Sequence, residues 1–138
     1  MSKAVTITAD SLPAAAAEKF RYSFGVRVGD LVWISGQVAL KDGRIVGIND
    51  VRVQAEQVFR NLKTVLEAAG GSLGDLIETT TYMTDRSYSS DINDVRSRFL
   101  TGAVLPTSTL LVVAGLARPE FLVEISAVAH IADSRPGA

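Results

Sequence analysis

Residues 49–71 read NDVRVQAEQVFRNLKTVLEAAGG. Val51, Ala55, Val58, Phe59, Leu62, Val65, Leu66 and Ala69 recur at i, i+3, i+4 spacing, which is one stripe of an amphipathic helix. Arg52, Glu56, Arg60, Lys63 and Glu67 fill the remaining surface. Asn49 or Asp50 is placed to cap the start, and Gly70-Gly71 to end it. Outward from this segment the period changes to that of strands, and the change sets the fold class.

Upstream, VTIT (5–8) alternates and is β-branched, a strand pattern. AAAAEKF (14–20), after Pro13, fits either one or two helical turns or a loop. Phe24–Val28 and Leu31–Ser35 flank Gly29-Asp30 as a hairpin, and a second turn at 41–43 precedes a short strand at 44–46. Downstream, LIETTTYMT (76–84) predicts a strand. A shorter helix, capped by Ser90 or Asp91, runs to about Leu100 with Ile92, Val95 and Phe99 on its apolar side. Residues 102–105 form a loop, strands follow at 107–113 and 121–131, and the tail at 133–138 is expected to fray. The order predicts an α+β domain over 1–138: a mixed sheet with two helices on one face. Leu31 and Trp33 point to one face and Val32 and Ile34 to the other, so the second face needs a cover, for which a partner subunit is the simplest.

The chain has 138 residues, 14 basic and 15 acidic side chains and no cysteine. That length buries roughly two-thirds of the unfolded surface in one domain. A net charge of −1 offers no basic surface for phosphates, so no nucleic-acid partner is expected. Without cysteine there is no disulfide framework, thiolate nucleophile or Cys-based metal site, which suits a cytoplasmic protein. No segment has the roughly 20 apolar residues of a membrane span, and no signal peptide is expected. A hydrophobic content of 47% points to surface hidden in a homo-oligomer.

Period-two alternation in the last strand puts Glu124, Ser126, Val128 and His130 on one face, and Val123, Ile125, Ala127 and Ala129 on the other. A carboxylate inside FLVEISAVA is costly unless paired, so Glu124 is the leading candidate for a working acid or base. The competing reading is a wet sheet end or a structural ion pair. His130, the sole histidine, lies about 20 Å further along an extended strand and is expected to cap a sheet edge. One histidine without cysteine supplies no metal site, and GGSLGD follows a helix instead of preceding one, so it is no phosphate loop. The strand at 76–84 reads as half-polar and carries no assigned site.

Several stretches in order resemble the RidA/YjgF family of reactive intermediate (enamine and imine) deaminases. They are Tyr22-Ser23 with VRVGDLVWISGQ (26–37), QAEQVFRNLKTVLEAAGGSLGDLIETTTYMTD (54–85), IND (92–94), LPTST (105–109) and LVEISAVA (122–129). The resemblance implies a chorismate-mutase-like fold and a homotrimer with a central barrel and three inter-subunit clefts. It implies hydrolysis of enamines and imines, products of amino-acid-metabolising enzymes, to keto acids and ammonia without a cofactor. Carried over by position, Glu124 matches the glutamate that positions or activates water. Tyr22 matches a cleft tyrosine from the neighbouring subunit, Ser35 and Gly36 the cleft-lining SGQ segment, and Asn93 a cleft asparagine.

One position departs from the pattern. Active members read P-A-R-S or P-A-R-T where this chain reads Pro106-Thr107-Ser108-Thr109, so Ser108 stands where an arginine grips the substrate carboxylate. A neutral hydroxyl hydrogen bond contributes about 0.5–1.5 kcal/mol against about 1.5–3 for one to a charged group. Phe24 replaces a usual glutamine, Arg21 a proline and Arg96 a tyrosine. The expectation is a deaminase-type enzyme with altered substrate choice, binding its substrate through Tyr22, Ser35, Gly36, Asn93 and Ser108. Arg21, Arg96 and Arg118 are candidates for a relocated charge, though arginines usually lie at the surface. The alternative is a non-catalytic small-molecule-binding or scaffolding trimer. The endoribonuclease activity sometimes attached to the family is disfavoured by the near-neutral charge.

Overall fold

Among residues 3–137, which a computed structural model describes, eight strands and three helices follow one another. They are β1 (Val5–Thr6), α1 (Ala14–Phe20), β2 (Gly25–Val28), β3 (Leu31–Gln37), β4 (Leu40–Lys41), β5 (Arg44–Ile45), α2 (Val51–Ala68), β6 (Leu76–Met83), α3 (Ser89–Phe99), β7 (Thr107–Val112) and β8 (Val123–His130).

Helix α2 begins where Asp50 accepts a hydrogen bond from the Val53 N–H. It ends because Gly70 takes a left-handed φ of 88°. The Gly70 and Gly71 N–H groups then turn back to Glu67 and Leu66 carbonyls, a Schellman closure that satisfies the last turn. The apolar stripe is buried along its length, with Ala55, Val58, Phe59, Leu62 and Leu66 sealed from solvent. It covers Val123, Ile125, Ala127 and Ala129 of β8 and Val32 and Ile34 of β3, and α3 adds Ile92 and Val95 to the same cluster. The strand order is β1-β2-β3-β8-β6-β7, antiparallel except for the parallel β6–β7 pair. This is the expected mixed sheet with α2 and α3 on one face.

Several local expectations shift. Residues 14–20 do form a helix, yet no residue of α1 is buried. The 40–45 ribbon is a separate two-stranded sheet. Neither Ser90 nor Asp91 caps α3. Asp85 caps the 3-10 turn leading into it, accepting from the Ser87 N–H and hydroxyl, while Asp91 pairs with Arg52 of α2 at 2.7 Å. The last strand starts at Val123 because the Phe121 N–H is taken by a turn to the Arg118 carbonyl. The tail is partly tied: the Asp133 N–H donates to Asp30 at 2.9 Å, and Arg135 folds back onto Asp133.

Among the described residues, α2 and α3 leave the sheet's other face uncovered. Register places Val26, Val28, Leu31, Trp33 and Val128 together at one end of it. Trp33 stays 46% exposed and Val28 39%. At the other end the face turns polar, with Glu124 beside Tyr82 and Ser126 beside Thr80.

Arg27 closes the covered side. Buried, and without a carboxylate bonded to it, it donates to the carbonyls of Ile131 (2.6 Å), Ala69 (2.6 Å) and Gly29 (3.2 Å). One guanidinium thus joins the end of β8, the end of α2 and the β2–β3 turn. Arg27→Met strands two buried carbonyls and is expected to cost roughly 2–4 kcal/mol. Urea denaturation followed by circular dichroism checks this, and an unchanged midpoint removes Arg27 from the fold's supports.

Candidate functional site

The ladder between β3 and β8 breaks register between Ile34 and Gln37. At that bulge Gly36 lies under the Glu124 side chain. A Cβ on residue 36 would fall 2.2 Å from Glu124 Oε2 and 2.7 Å from Cδ. The carboxylate therefore occupies the space that every other residue type at position 36 would fill. Ser35 is fixed beside it: its hydroxyl donates to the Ser23 carbonyl at 2.5 Å, and its N–H to the Phe24 carbonyl at 2.9 Å. Gln37, buried on the far side of the bulge, donates to the Ser35 carbonyl at 2.8 Å.

Glu124 is half-buried and makes no hydrogen bond or ion pair with the described residues. Burial alone raises its pKa above the ordinary glutamate value. An unpaired carboxylate with a raised pKa, on rigid strands at a polar sheet end, is equipped to accept a proton from water and return it.

Polar groups of α2 hold the segments on either side of this carboxylate. Gln54 is fully buried: its Nε2 donates to the Gly47 and Glu120 carbonyls, and its Oε1 accepts from the Leu122 N–H at 2.9 Å. It fixes the chain two residues before Glu124. Asn61, accepting from Gln57, donates to the carbonyls of Val38 and Leu40, just beyond Gly36. The signal for Gln54 lay in its position, a polar residue inside the apolar stripe between Val51 and Val58.

The remaining candidates lie elsewhere. Ser108 pairs with Thr79, and Glu124 with Tyr82. Alternation then puts Ser108 on the helix face of the sheet and Glu124 on the open face, about 10 Å apart along the strands and about 10 Å across them. Thr107 and Thr109, not Ser108, share the open face with Glu124. Ser108 is exposed on the edge strand, and Asn93 is exposed on α3. Tyr22 emerges beside Ser23, hence on the Ser35 side of its own protomer. Its ring meets Phe24 edge-on at 5.6 Å and helps line a cavity of about 460 Å³ under α1, with Ile7, Leu12 and Ala17. His130 is exposed at the end of β8, a central strand, so it does not cap a lateral edge.

Of the three arginines, Arg21 is exposed in a left-handed conformation after α1, and Arg118 is exposed near Glu120 at 3.9 Å. Arg96 departs from the surface expectation. It is half-buried over the Phe59 ring and donates to the Thr79 and Thr81 hydroxyls, both at 3.1 Å. One protomer thus brings together Glu124, Gly36 and Ser35, with Tyr22 nearby, and separately groups Ser108 with Arg96. Among the described residues no three His, Asp or Glu side chains converge as metal ligands, and no helix is long and apolar enough to cross a membrane.

The raised pKa has a defined sign. Below the unfolded-state value, about 4.3, Glu124 is protonated in both states and burial costs nothing. As pH rises through the folded-state value the buried group ionises, and stability is lost. Glu124→Gln is therefore expected to raise the melting temperature at neutral pH, with the gain shrinking toward about pH 4. A gain independent of pH would mean the carboxylate is not strained by burial.

Residues 12–131 match the family described as endoribonuclease L-PSP. A RutC family protein of Pyrococcus horikoshii is 35% identical over 111 residues, 79% of this chain and 86% of the relative. One from Saccharolobus solfataricus is 36% identical over the same shares of each. Among solved structures, RidA from an Antarctic Psychrobacter superposes with a TM-score of 0.76 at 36% identity, covering 92% of this chain and 99% of that one. A YjgF/YER057c/UK114 family member from Mycobacterium tuberculosis gives 0.78 at 26% identity, covering 94% and 100%.

Proposed function

The chain belongs to the RidA/YjgF family, and on that premise we propose that it is a cytoplasmic, cofactor-independent deaminase hydrolysing a small imine or enamine. It works as a homotrimer whose clefts take Glu124, Gly36 and Ser35 from one protomer and Ser108 and Asn93 from the next. The observation that carries the reading is the unpaired, half-buried Glu124 carboxylate seated over Gly36. The two-protomer cleft is supported by the sheet itself: Glu124 and Ser108 lie on opposite faces, so one protomer cannot present both to one small molecule.

The chemistry asks little of the protein. An imine carbon is already electrophilic. Glu124 takes a proton from water as the oxygen bonds to that carbon and passes it to the nitrogen, giving a carbinolamine. It then takes the hydroxyl proton and delivers it to the amine as the C–N bond breaks, so that a carbonyl compound and ammonia leave. A carboxyl group with a raised pKa is suited to both transfers, and burial between subunits would strengthen its effect. Ser108 gives the far wall a neutral hydroxyl where a cation would grip a carboxylate, so substrate choice is altered. That same uncharged position favours the second reading, a trimer that binds small molecules without turning them over.

The deciding assay supplies two imines in situ, one from an amino-acid oxidase and one, lacking a carboxylate, from an amine oxidase. Ammonia release is followed through a coupled dehydrogenase. The wild type accelerates release and Glu124→Ala abolishes the acceleration. Gly36→Ala displaces the carboxylate by about 1 Å or more and lowers the rate about a hundredfold, with the melting temperature retained. No acceleration of either imine, or acceleration indifferent to Glu124→Ala, overturns the deaminase reading. Sedimentation is expected to show a three-chain species, and a monomer would leave each cleft half-built.

A further inference from the structure

We infer that the cavity under α1 is a binding site for an uncharged aromatic molecule with one hydrogen-bonding group, and that its occupant steadies the segment holding Ser35. Glu124, Gly36 and Ser35 do not line this cavity, and the inference stands apart from the deaminase reading.

A surface helix ordinarily turns an apolar stripe toward the sheet it covers. From α1 and its cap, the residues lining the cavity are Ala14, Ala17, Glu18 and Arg21. They recur at i, i+3, i+4, i+7, so they form one side of the helix. Alanine ends at Cβ. The stripe therefore spans the gap over Ile7 and Leu12 without filling it, and no residue of α1 is buried. Phe20, the one large apolar side chain of the helix, is 66% exposed and does not line the cavity. About 460 Å³ stays open between helix and sheet edge, a volume within the range of small-molecule sites.

The walls define the ligand. Tyr22 and Phe24 stand edge to face at 5.6 Å and 67°, with Tyr22 exposed, and a third ring extends such a pair favourably. The Thr6 and Ser23 hydroxyls lie 3.2 Å apart and share one hydrogen bond. That bond uses one of their two protons and leaves one donor and several lone pairs for a guest. Glu18 and Arg21 bring opposite charges to the same cavity, three residues apart and both exposed. Neither forms an ion pair among the described residues. Their fields oppose each other, so neither an anion nor a cation gains on balance. Selection is left to the aromatic walls and the hydroxyl pair.

The occupant bears on Ser35 through the backbone. The Tyr22 N–H donates to the Ala17 carbonyl at 3.1 Å, which joins the cavity's ceiling to its wall. The Ser23 carbonyl accepts from the Ser35 hydroxyl at 2.5 Å, and the Phe24 carbonyl from the Ser35 N–H at 2.9 Å. A ring seated between Ala17 and Tyr22 thus restrains the residues that fix Ser35, the neighbour of Gly36.

The test titrates the full-length protein with phenol, benzoate and benzylammonium, which share a ring and differ in charge. NMR follows the Ala14 and Ala17 methyl signals, so binding elsewhere does not count. Phenol is expected to shift both methyls with a dissociation constant of about 1 mM or below, roughly tenfold tighter than either ion. The Ser35 amide is expected to move with the same midpoint. Ala17→Leu fills the cavity and weakens phenol at least about tenfold while the melting temperature is held, and Ala14→Leu serves the same purpose if that variant does not fold. Glu124→Ala leaves phenol binding unchanged. Unmoved methyls, an ion bound as tightly as phenol, phenol binding that survives the folded leucine variants, or binding lost with Glu124→Ala each overturns the site. A Ser35 amide that stays still at saturation overturns the link to Ser35. Absence of ammonia release in the imine assay sinks the deaminase and leaves all of these outcomes intact.

Discussion

A sheet has two faces, and this chain supplies helices for one. With α2 and α3 docked on Val32, Ile34, Val123, Ile125 and Ala129, every apolar side chain that alternates to the opposite side is left uncovered. The consequences differ along the strands. At one end the open face is apolar, where Val26, Leu31, Trp33 and Val128 form a surface suited to another subunit. At the other end it carries Glu124, Tyr82, Ser126 and Thr80. Glu124 can remain unpaired only because it lies on this face. On the helix side, where Val123 and Ile125 are sealed from solvent, an unpartnered carboxylate would meet the full cost of burial.

Placing that carboxylate is the work of polar groups in the interior. Gln54 holds residues 120–122 and Asn61 holds residues 38–40, so both strands of the Gly36–Glu124 crossing are tied to one helix. Arg27 ties the opposite end of α2 to the end of β8. All three side chains donate to backbone carbonyls, and Gln54 also accepts from the Leu122 N–H, so backbone groups that loops would otherwise leave unpaired are satisfied. The crossing is therefore referenced to the most regular element of the fold, which is what precise proton transfer requires.

The parts legible in the sequence were those set by periodicity. The α2 stripe, the Gly70-Gly71 stop, the alternation of β8 and the two-faced character of β3 all follow from side-chain spacing. The helix caps were less legible, because Asp, Ser and Asn crowd residues 85–94 and only tertiary contacts choose among them: Asp91 is drawn to Arg52 and leaves capping to Asp85. Beyond the hairpin at 24–35, the pairing of strands was not legible. Whether Ser108 shares a face with Glu124 depends on the β6–β7 and β6–β8 registers, which join residues far apart in the chain. Arg27 escaped notice for a related reason, since its partners are backbone carbonyls that no residue-type pattern advertises, while Gln54 was marked only by its place inside the apolar stripe.

The two departures at the rim, an arginine in α3 and a serine in β7, are best understood together. Register sets position 108 beside Thr79, and Thr79 already binds the guanidinium of Arg96. A second arginine at 108 would bring another cation to the strand beside Thr79, on the sheet face where the Arg96 guanidinium already lies, and the two would repel. The serine removes that conflict and leaves a donor that a guanidinium tolerates. The charge has not simply been lost from the edge strand, because one remains on the neighbouring helix, recessed behind the threonines.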